Sequence, residues 1–564
     1  MTLSPEKKIA GVLAPLFALR REKDLGIGDL EALRQFIDWS AQIGFKLIQL
    51  LPINEMGGDH SPYNAISAVA LEPTTLYLAP GSPEDLTRED FDDVVREGDL
   101  DKLRKGPVKH ARVRRLKLAL LKKAYSRFTQ TGEKKATFEQ FCKAEAGWLD
   151  DYAFFRALME ENGGRETWDH WRKEHQTGAQ AREWLSAQPE ETQRHFAERE
   201  SFFKYVQWVA WDQWDAIRAY AEQRGVALMG DIPFGVNLYS ADVYAHRDQF
   251  AIEWSGGAPP EPYFKDDEFT QRWGQNWGIP LYRWDVMRAR NLDWWRWRVR
   301  GVRKIFHVFR IDHVLGFYRI YAFPWRPGRN QEFLPLSWDA MRAETGGTFP
   351  QFYPRDDANG ENCEANRREG EAYLRAVLEE SGETRVVGED LGTVPDYVRP
   401  SLRSLGIAGF KIPQWENHPD GRSIPGGEYQ RLSVATYATH DHKPLRAMWE
   451  DAFEQTTPDT ELARQDLGKI AQFAGVTESD GSQDFDRDFY GPVMEGLFRC
   501  ESWLALVMIT DLLARKDRFN VPGTATSSNW SRRMWKTVEG LKQSRRVKQR
   551  MRLISELLER TGRL

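Results

Sequence analysis

Eight short apolar or β-branched segments, most of them running into polar or charged residues, limit this chain more than any other feature. They are Ile9–Phe17, Phe45–Ile53, Ala227–Phe234, His307–Val314, Arg385–Leu391, Ile407–Gln414, Ser433–Asp441 and Trp503–Asp511. Nearly continuous apolar runs, rather than strict alternation, are what parallel strands covered on both faces look like. Amphipathic stretches separate several of them. In Leu30–Gly44 the side chains of Leu33, Phe36, Ile37 and Ser40 share one helical face, and Phe203–Gly225 ends on a glycine placed as a helix C′ residue just before the next strand. Eight strands with helices between them predict an α/β fold of the TIM type, a closed (β/α)8 barrel, in preference to an open sheet.

The chain has 564 residues, against about 250 for a plain barrel, and the uneven spacing of the eight segments locates the excess. Between the second and third strands, residues from about Asp101 to Glu200 are highly charged and helical in pattern. Between the third and fourth, Gly235 to Val302 is rich in Gly, Pro and Trp, a composition suited to binding loops. The expected division places the start of the barrel, with strands 1 and 2, in residues 1–60. A mostly helical insertion follows in 61–225, strand 3 in 226–234 and a loop-rich insertion in 235–302. Strands 4 to 8 occupy 303–530 and a helical segment 531–564.

Composition excludes more than it selects. With 41% apolar and 29% charged residues and a net charge of −5, the chain reads as globular, and nothing in it calls for a nucleic-acid partner. From Ser531 onward there are 11 Lys or Arg against 3 Glu. The favoured interpretation is a solvated helix that packs Met551, Leu553, Ile554, Leu557 and Leu558 on the barrel. The longest apolar run, Trp503–Ile509, is too short for a membrane span. Pro15, Arg20 and Arg21 interrupt a signal-peptide pattern. Cys142, Cys363 and Cys500 stand far apart, with no metal-ligand spacing, so no metal site or disulfide is expected and a reduced, cytoplasmic setting is the default. The 22 tryptophans serve either as core filling or as flat platforms for sugar rings.

Acids close four of the strands: Asp231 in GDIPF, Asp312 in FRIDH, Glu389 and Asp390 in VVGEDLG, and Asp441 in YATHD. Each alone is as readily a capping or ion-pairing group. In a barrel, however, all strand C-termini face one mouth, so these acids converge. Glycoside chemistry needs such a set. One carboxylate attacks the anomeric carbon, a protonated acid about 5–5.5 Å away serves the leaving oxygen, and a further anion stabilises the oxocarbenium-like transition state. Arg310 and Asp312 lie two apart on one strand and share a face, either as a structural salt bridge or to hold a nucleophile ionised. His440, next to Asp441, is open to a structural role or to hydrogen bonding with sugar hydroxyls.

Nine stretches in register, from about residue 10 to 530, carry a resemblance. They include GVLAPLFALR with GIGD, QLLPIN with SPYNAISAVALEP, FFKYVQWVAWDQWDAIRAYAEQRGVALMGDIPFGV, SADVYAH and WGQNWGIPLYRWDVM, then FRIDHVLGFYR, VVGEDLG, THD and NVPGT with NW. The chain resembles the 4-α-glucanotransferases (amylomaltases or disproportionating enzymes) of glycoside hydrolase family 77, relatives of the α-amylases. The resemblance implies retaining transfer of an α-1,4-glucan segment to the 4-hydroxyl of a maltodextrin or glucose through a covalent glycosyl-enzyme, without metal or organic cofactor. It implies Asp312 as nucleophile, Glu389 as general acid/base and Asp441 as transition-state stabiliser. Tyr63, Asp231, Arg310 and His440 would hold the transferred sugar. Gln275, Trp277, Asn520 and Trp530 fall in stretches that line the glucan groove or serve structure, and the 235–302 segment becomes the expected glucan-binding insertion. An α-amylase-like hydrolase with the same acids is the alternative, followed by a maltodextrin-binding protein without catalysis. The chain departs from the family pattern at His442, Lys443, Ile279 and Leu315, and in GAPPEPYF. These altered neighbours are expected to line sugar subsites.

Overall fold

The computed structural model describes residues 3–131, 133–260, 267–454, 457–476, 484–522, 524 and 528–564. Eight parallel strands form its centre: β1 (Ile9–Leu13), β2 (Leu47–Gln49), β3 (Ala227–Pro233), β4 (Val308–Asp312), β5 (Arg385–Gly388), β6 (Gly409–Lys411), β7 (Ser433–Ala435) and β8 (Leu504–Met508). They pair in the order β6-β7-β8-β1-β2-β3-β4-β5. The ring closes between β5 and β6 by one parallel bridge, Val387 to Ala408. Each predicted segment contains one of these strands. All five residues of β1 and of β8 are buried, as strands with side chains on both a filled interior and a helical jacket must be.

The helical connections follow from local sequence. In Leu30–Ile43, Asp29 caps the N-terminus by accepting from the Ala32 amide, and Gly44 ends the helix in the left-handed region at φ 110°. Its inward face is Leu30, Leu33, Phe36, Ile37 and Ile43, all buried. Between β2 and β3 the chain adds long helices, among them His110–Thr131, Lys135–Glu161 and Glu190–Gln223. No helix among the described residues is long and apolar enough to cross a membrane.

The segment 235–302 differs from its predicted loop-rich character. It holds two antiparallel strands, Phe250–Ala258 and Gln275–Tyr282, which join Ile320–Phe323 and Gln351–Tyr353 in a separate four-stranded sheet. Half of that sheet therefore comes from the connection between β4 and β5. Glycines hide these strands from a periodicity analysis: a Cβ on Gly257 would lie 1.8 Å from the Gln275 carbonyl oxygen, so close pairing there requires glycine. A second aromatic core, with Trp325 stacked on Phe333 at 3.9 Å, supports the sheet. Most tryptophans fill cores. Trp214, Trp273, Trp295 and Trp503 are fully buried, and only Trp277, Trp338, Trp415 and Trp535 are exposed among those described.

The C-terminal helix Arg545–Arg560 buries Val547, Met551, Ile554, Leu557 and Leu558; the exposed Arg546 and the largely buried Arg550, which also donates to Leu513 O at 2.7 Å, both pair with Asp486. Arg563, beyond it, is wholly buried at the N-terminal ends of β1 and β8. Its guanidinium donates to the carbonyls of Ile9 at 2.8 Å, Cys500 at 2.7 Å, Ser502 at 3.0 Å and Trp503 at 3.2 Å, and to that of Phe498. A buried cation among main-chain acceptors ties the first and last strands together. Replacing Arg563 with methionine removes the cation these buried carbonyls share, although Trp503 O keeps the Ile9 amide at 2.8 Å, and is expected to cost about 3 kcal/mol or more of unfolding free energy. Urea denaturation checks this, and an unchanged midpoint would show that the clasp carries no load.

Candidate active site

Register places the acids. β3 and β4 pair so that Asp231 stands opposite Arg310 and Pro233 opposite Asp312. The buried Arg310 guanidinium donates through Nη1 to Asp231 Oδ1 at 2.8 Å and Oδ2 at 2.7 Å, and contacts Asp312 Oδ1 through Nη2 at 2.7 Å. Burial works against a charged guanidinium, but Asp231 and Asp312 outweigh it and hold Arg310 well above its ordinary range. The two carboxylates differ in access: the Asp231 side chain has no exposed surface, whereas that of Asp312 is 30% exposed and opens on the barrel mouth.

Tyr63 reaches the same group from the loop after β2. Its hydroxyl donates to Asp231 Oδ2 at 2.7 Å, and its ring stacks on His440 with centroids 5.0 Å apart. Burial, then the neighbouring carboxylates, push the phenol far above its ordinary range, so it remains a donor. His440 Nε2 lies 3.1 Å from Asp441 Oδ2, Asn520 Nδ2 donates to Asp441 Oδ1 at 2.7 Å, and Arg518 donates to the Asp441 carbonyl at 2.7 Å. Withdrawal from solvent would raise the Asp441 carboxyl. The charge and hydrogen bond of His440, with Asn520, instead hold it far below the usual carboxylate range.

Glu389 is perturbed in the opposite sense. Its amide continues the β4 ladder by donating to Ile311 O at 2.9 Å, and its Oε2 accepts the His313 amide at 2.8 Å. Withdrawal from solvent pushes its carboxyl up to about 8, Asp312 adding to the rise while Arg310 and the His313 amide oppose it. At neutral pH the cleft therefore holds a protonated Glu389 and an ionised Asp441. Two carboxyl groups with proton affinities driven apart are an acid and an anion in one site.

The remaining predicted residues separate. Trp277 is 39% exposed, meets the His313 ring edge-on at 4.7 Å and donates to Gln275 Oε1 at 3.1 Å, so this pair forms part of the rim. Trp530, open between the groove and a structural role on sequence grounds, is only 8% exposed and stands behind Tyr63 and His440, each with ring centroids at 5.8 Å. Asn520 commits its amide to Asp441. Three departures from the family pattern are engaged by neighbouring groups of the chain itself. Leu315 is 6% exposed, and Ile279 packs over Gly235, where a Cβ would lie 2.3 Å from its Cδ1. Lys443 pairs with Asp451 and Asp459. His442 alone stays at the cleft: Nδ1 accepts the Thr439 amide at 3.0 Å and the ring lies 4.8 Å from Trp415, which is 49% exposed. In GAPPEPYF, residues 261–264 lie outside the described residues.

His313, Arg518 and Trp415 escaped sequence reasoning. His313 follows Asp312 and Arg518 stands two residues before Asn520, but a main-chain donor and a contact to a main-chain carbonyl leave no residue-type signature, and Trp415, just past the Ile407–Gln414 segment, belongs to no motif. No group of three or more His, Cys, Asp or Glu able to hold a metal occurs among the described residues.

The Glu389 assignment has a direct spectroscopic consequence. Infrared difference titration is expected to show a protonated carboxyl band that persists at pH 7, disappears with a midpoint near the value of about 8 and is absent in Glu389→Gln. A band already lost below pH 6 would contradict the geometry.

A family profile described as 4-alpha-glucanotransferase matches residues 14–537. A 4-alpha-glucanotransferase of Chlamydia caviae is 31% identical, covering 94% of this chain and 91% of the relative. One of Thermus thermophilus is 26% identical over 95% of this chain and 96% of its own. Among solved structures, an amylomaltase of Streptococcus agalactiae in complex with acarbose superposes with a TM-score of 0.73 at 22% identity, covering 99% of this chain and 100% of the other. An amylomaltase of Corynebacterium glutamicum gives 0.77 at 21% identity, covering 99% and 76%.

Proposed function

The chain belongs to the 4-α-glucanotransferases of glycoside hydrolase family 77, and from that premise we propose the residues that carry the transfer. Asp312 attacks the anomeric carbon of an α-1,4-glucan donor. Arg310 occupies its Oδ1 at 2.7 Å, which leaves Oδ2 for the attack. Glu389 gives its proton to the departing glycosidic oxygen, so that the bond to the reducing-end fragment breaks as the Asp312 ester forms. Glu389, now ionised, takes the proton of the incoming 4-hydroxyl, and the acceptor displaces Asp312 with net retention. Asp441, ionised throughout, stabilises the oxocarbenium-like charge and orients sugar hydroxyls together with His440 and Tyr63.

The observation that carries this assignment is the divergence of two carboxyl groups: Glu389 held protonated to about pH 8 beside Asp312, and Asp441 held ionised by His440 and Asn520. Exposed indole faces at Trp277 and Trp415 suit the apolar faces of sugar rings. They favour a bound glucan over water at the ester stage. The three carboxyl groups complete the chemistry without metal or organic cofactor. The division into a barrel, a helical insertion in 61–225, a glucan-binding segment in 235–302 and a C-terminal helical segment belongs to the same proposal. So does a cytoplasmic setting, which the unpaired Cys142, Cys363 and Cys500 suit, with α-1,4-glucans rather than nucleic acid or membrane as partners.

Incubation with maltotriose is expected to yield glucose and longer maltodextrins with a constant total of reducing ends. A steady rise in reducing ends would instead mark a hydrolase. Asp312→Asn is expected to lower turnover by about 10⁴-fold or more, and undiminished turnover would remove Asp312 from the role. Because Glu389 must be protonated to serve the leaving group, kcat/KM is expected to hold through neutral pH and fall as pH rises through about 8.

A further inference from the structure

Asp390, next to the general acid, takes no part in the reaction above, yet it is only 3% exposed and its carboxylate is fully engaged. It stands at the weakest seam of the barrel. On its β4 side, β5 pairs over four residues, from Val308 with Arg385 to Ile311 with Gly388. On its β6 side it has the single bridge of Val387 to Ala408 and the Gly388 amide donating to Ala408 O at 2.9 Å. Beyond that rung a side chain takes over. Asp390 Oδ1 accepts the Phe410 amide of β6 at 2.6 Å, and Oδ2 accepts Arg399 Nε at 3.1 Å.

The surroundings are shaped for this contact. A Cβ on Gly409 would lie 2.6 Å from Asp390 Oδ2, so the carboxylate enters only because that position lacks a side chain. Arg399 is held in turn near Glu416 at 3.8 Å, and Glu416 pairs with Lys411 Nζ at 2.6 Å. The main chain of Glu389 thus has two anchors: its own amide on Ile311 and the neighbouring side chain on β6. Misplacing a reacting group by about 1 Å can cost about 10²-fold in rate.

We infer that Asp390 is the positioning residue of the general acid: by stitching β5 to β6 just past the closing bridge, it fixes the backbone from which the Glu389 carboxyl projects. The inference rests on the assignment of Glu389 as acid. It separates Asp390 from a carboxylate that merely stabilises the barrel, because an acid out of place harms only steps that need its proton. When a glycosidic bond breaks, the electron pair goes to a sugar oxygen that must be protonated. When an α-glycosyl fluoride reacts at Asp312, fluoride departs as a stable anion and needs no proton.

First-turnover glycosylation is therefore measured with maltotriose and with α-maltosyl fluoride, the latter as the fluoride burst. Glu389→Gln is the reference and must lose the maltotriose reaction while keeping the burst; if it loses both or neither, the acid assignment itself fails. Given that split, Asp390→Ala is expected to lower the maltotriose rate by about 10²-fold and the burst by less than about threefold. Asp390→Asn, which keeps an acceptor for the Phe410 amide, is expected to stay within about fivefold of the parent on both donors, on the order of a lost neutral contact. Arg399→Leu, with a side chain 41% exposed, should show the same split in smaller measure, about tenfold on maltotriose, and keeps the test open should Asp390→Ala fail to fold. An equal fall on both donors, no fall on maltotriose, or an Asn variant as impaired as the Ala variant would each overturn the inference.

Discussion

One guanidinium organises the mouth of this barrel. Arg310 is 4% exposed and lies between Asp231, which it grips through both oxygens, and Asp312, which it holds by one. A buried cation is costly unless its donors are matched, and unpaired carboxylates there would repel each other. The triad removes both problems. Asp231, shut from solvent, supplies charge and a seat for the Tyr63 hydroxyl, while Asp312 keeps an open edge. Tyr63 then stacks on His440, and His440 meets Asp441. Contacts that begin on β3 and β4 therefore fix the side chain of a loop after β2 and another after β7. Arg310 also tempers the proton affinity of Glu389, which withdrawal from solvent and Asp312 raise.

Much of this was legible in the sequence because strand ends are. A buried parallel strand must be apolar along its length and its C-terminal residue must face the common mouth. Hence FRIDH and VVGED could be read together as acids in one place before any distance was known. The limits of that logic show at β6 and β7. The apolar stretches Ile407–Gln414 and Ser433–Asp441 contain ladders of only three residues each, Gly409–Lys411 and Ser433–Ala435. Apolar continuity reports burial, not pairing. The residues after β7 are buried loop that delivers His440 and Asp441.

Other features were hidden for stated physical reasons. The four-stranded sheet joins segments on both sides of β4 through glycine-dependent close pairing, so no single window carries its pattern. Arg563 reads as one more charge on a basic tail, and only tertiary structure surrounds it with carbonyls. Tryptophan count could not tell platform from filler. Trp277 and Trp530 both lie in motif stretches, yet one is exposed at the rim and the other is a wall behind Tyr63 and His440. His313 acts through its amide, which every residue but proline possesses.

Backbone strain ties the helices between β2 and β3 to the cleft. Three non-glycine residues near the cleft, His60, His313 and Trp530, have φ of 61°, 50° and 58°. Each such conformation costs on the order of 1–3 kcal/mol and persists only where its surroundings enforce it. For His313 the return is local, since the turn aims its amide at Glu389. For the other two, support comes from outside the barrel. The His60 ring stacks on His110 at 4.5 Å, and His110 Nε2 donates to the Trp530 carbonyl at 2.9 Å. Glu166, also from the insertion, accepts the Gly58 amide at 2.9 Å. His110 opens the long helix His110–Thr131, so one rigid element braces both the loop that carries Tyr63 and the turn that presents Trp530. The connection between β2 and β3 thus reaches the cleft in two ways: its first loop places Tyr63 against Asp231 and His440, and the helices after that loop hold it and the Trp530 turn in place.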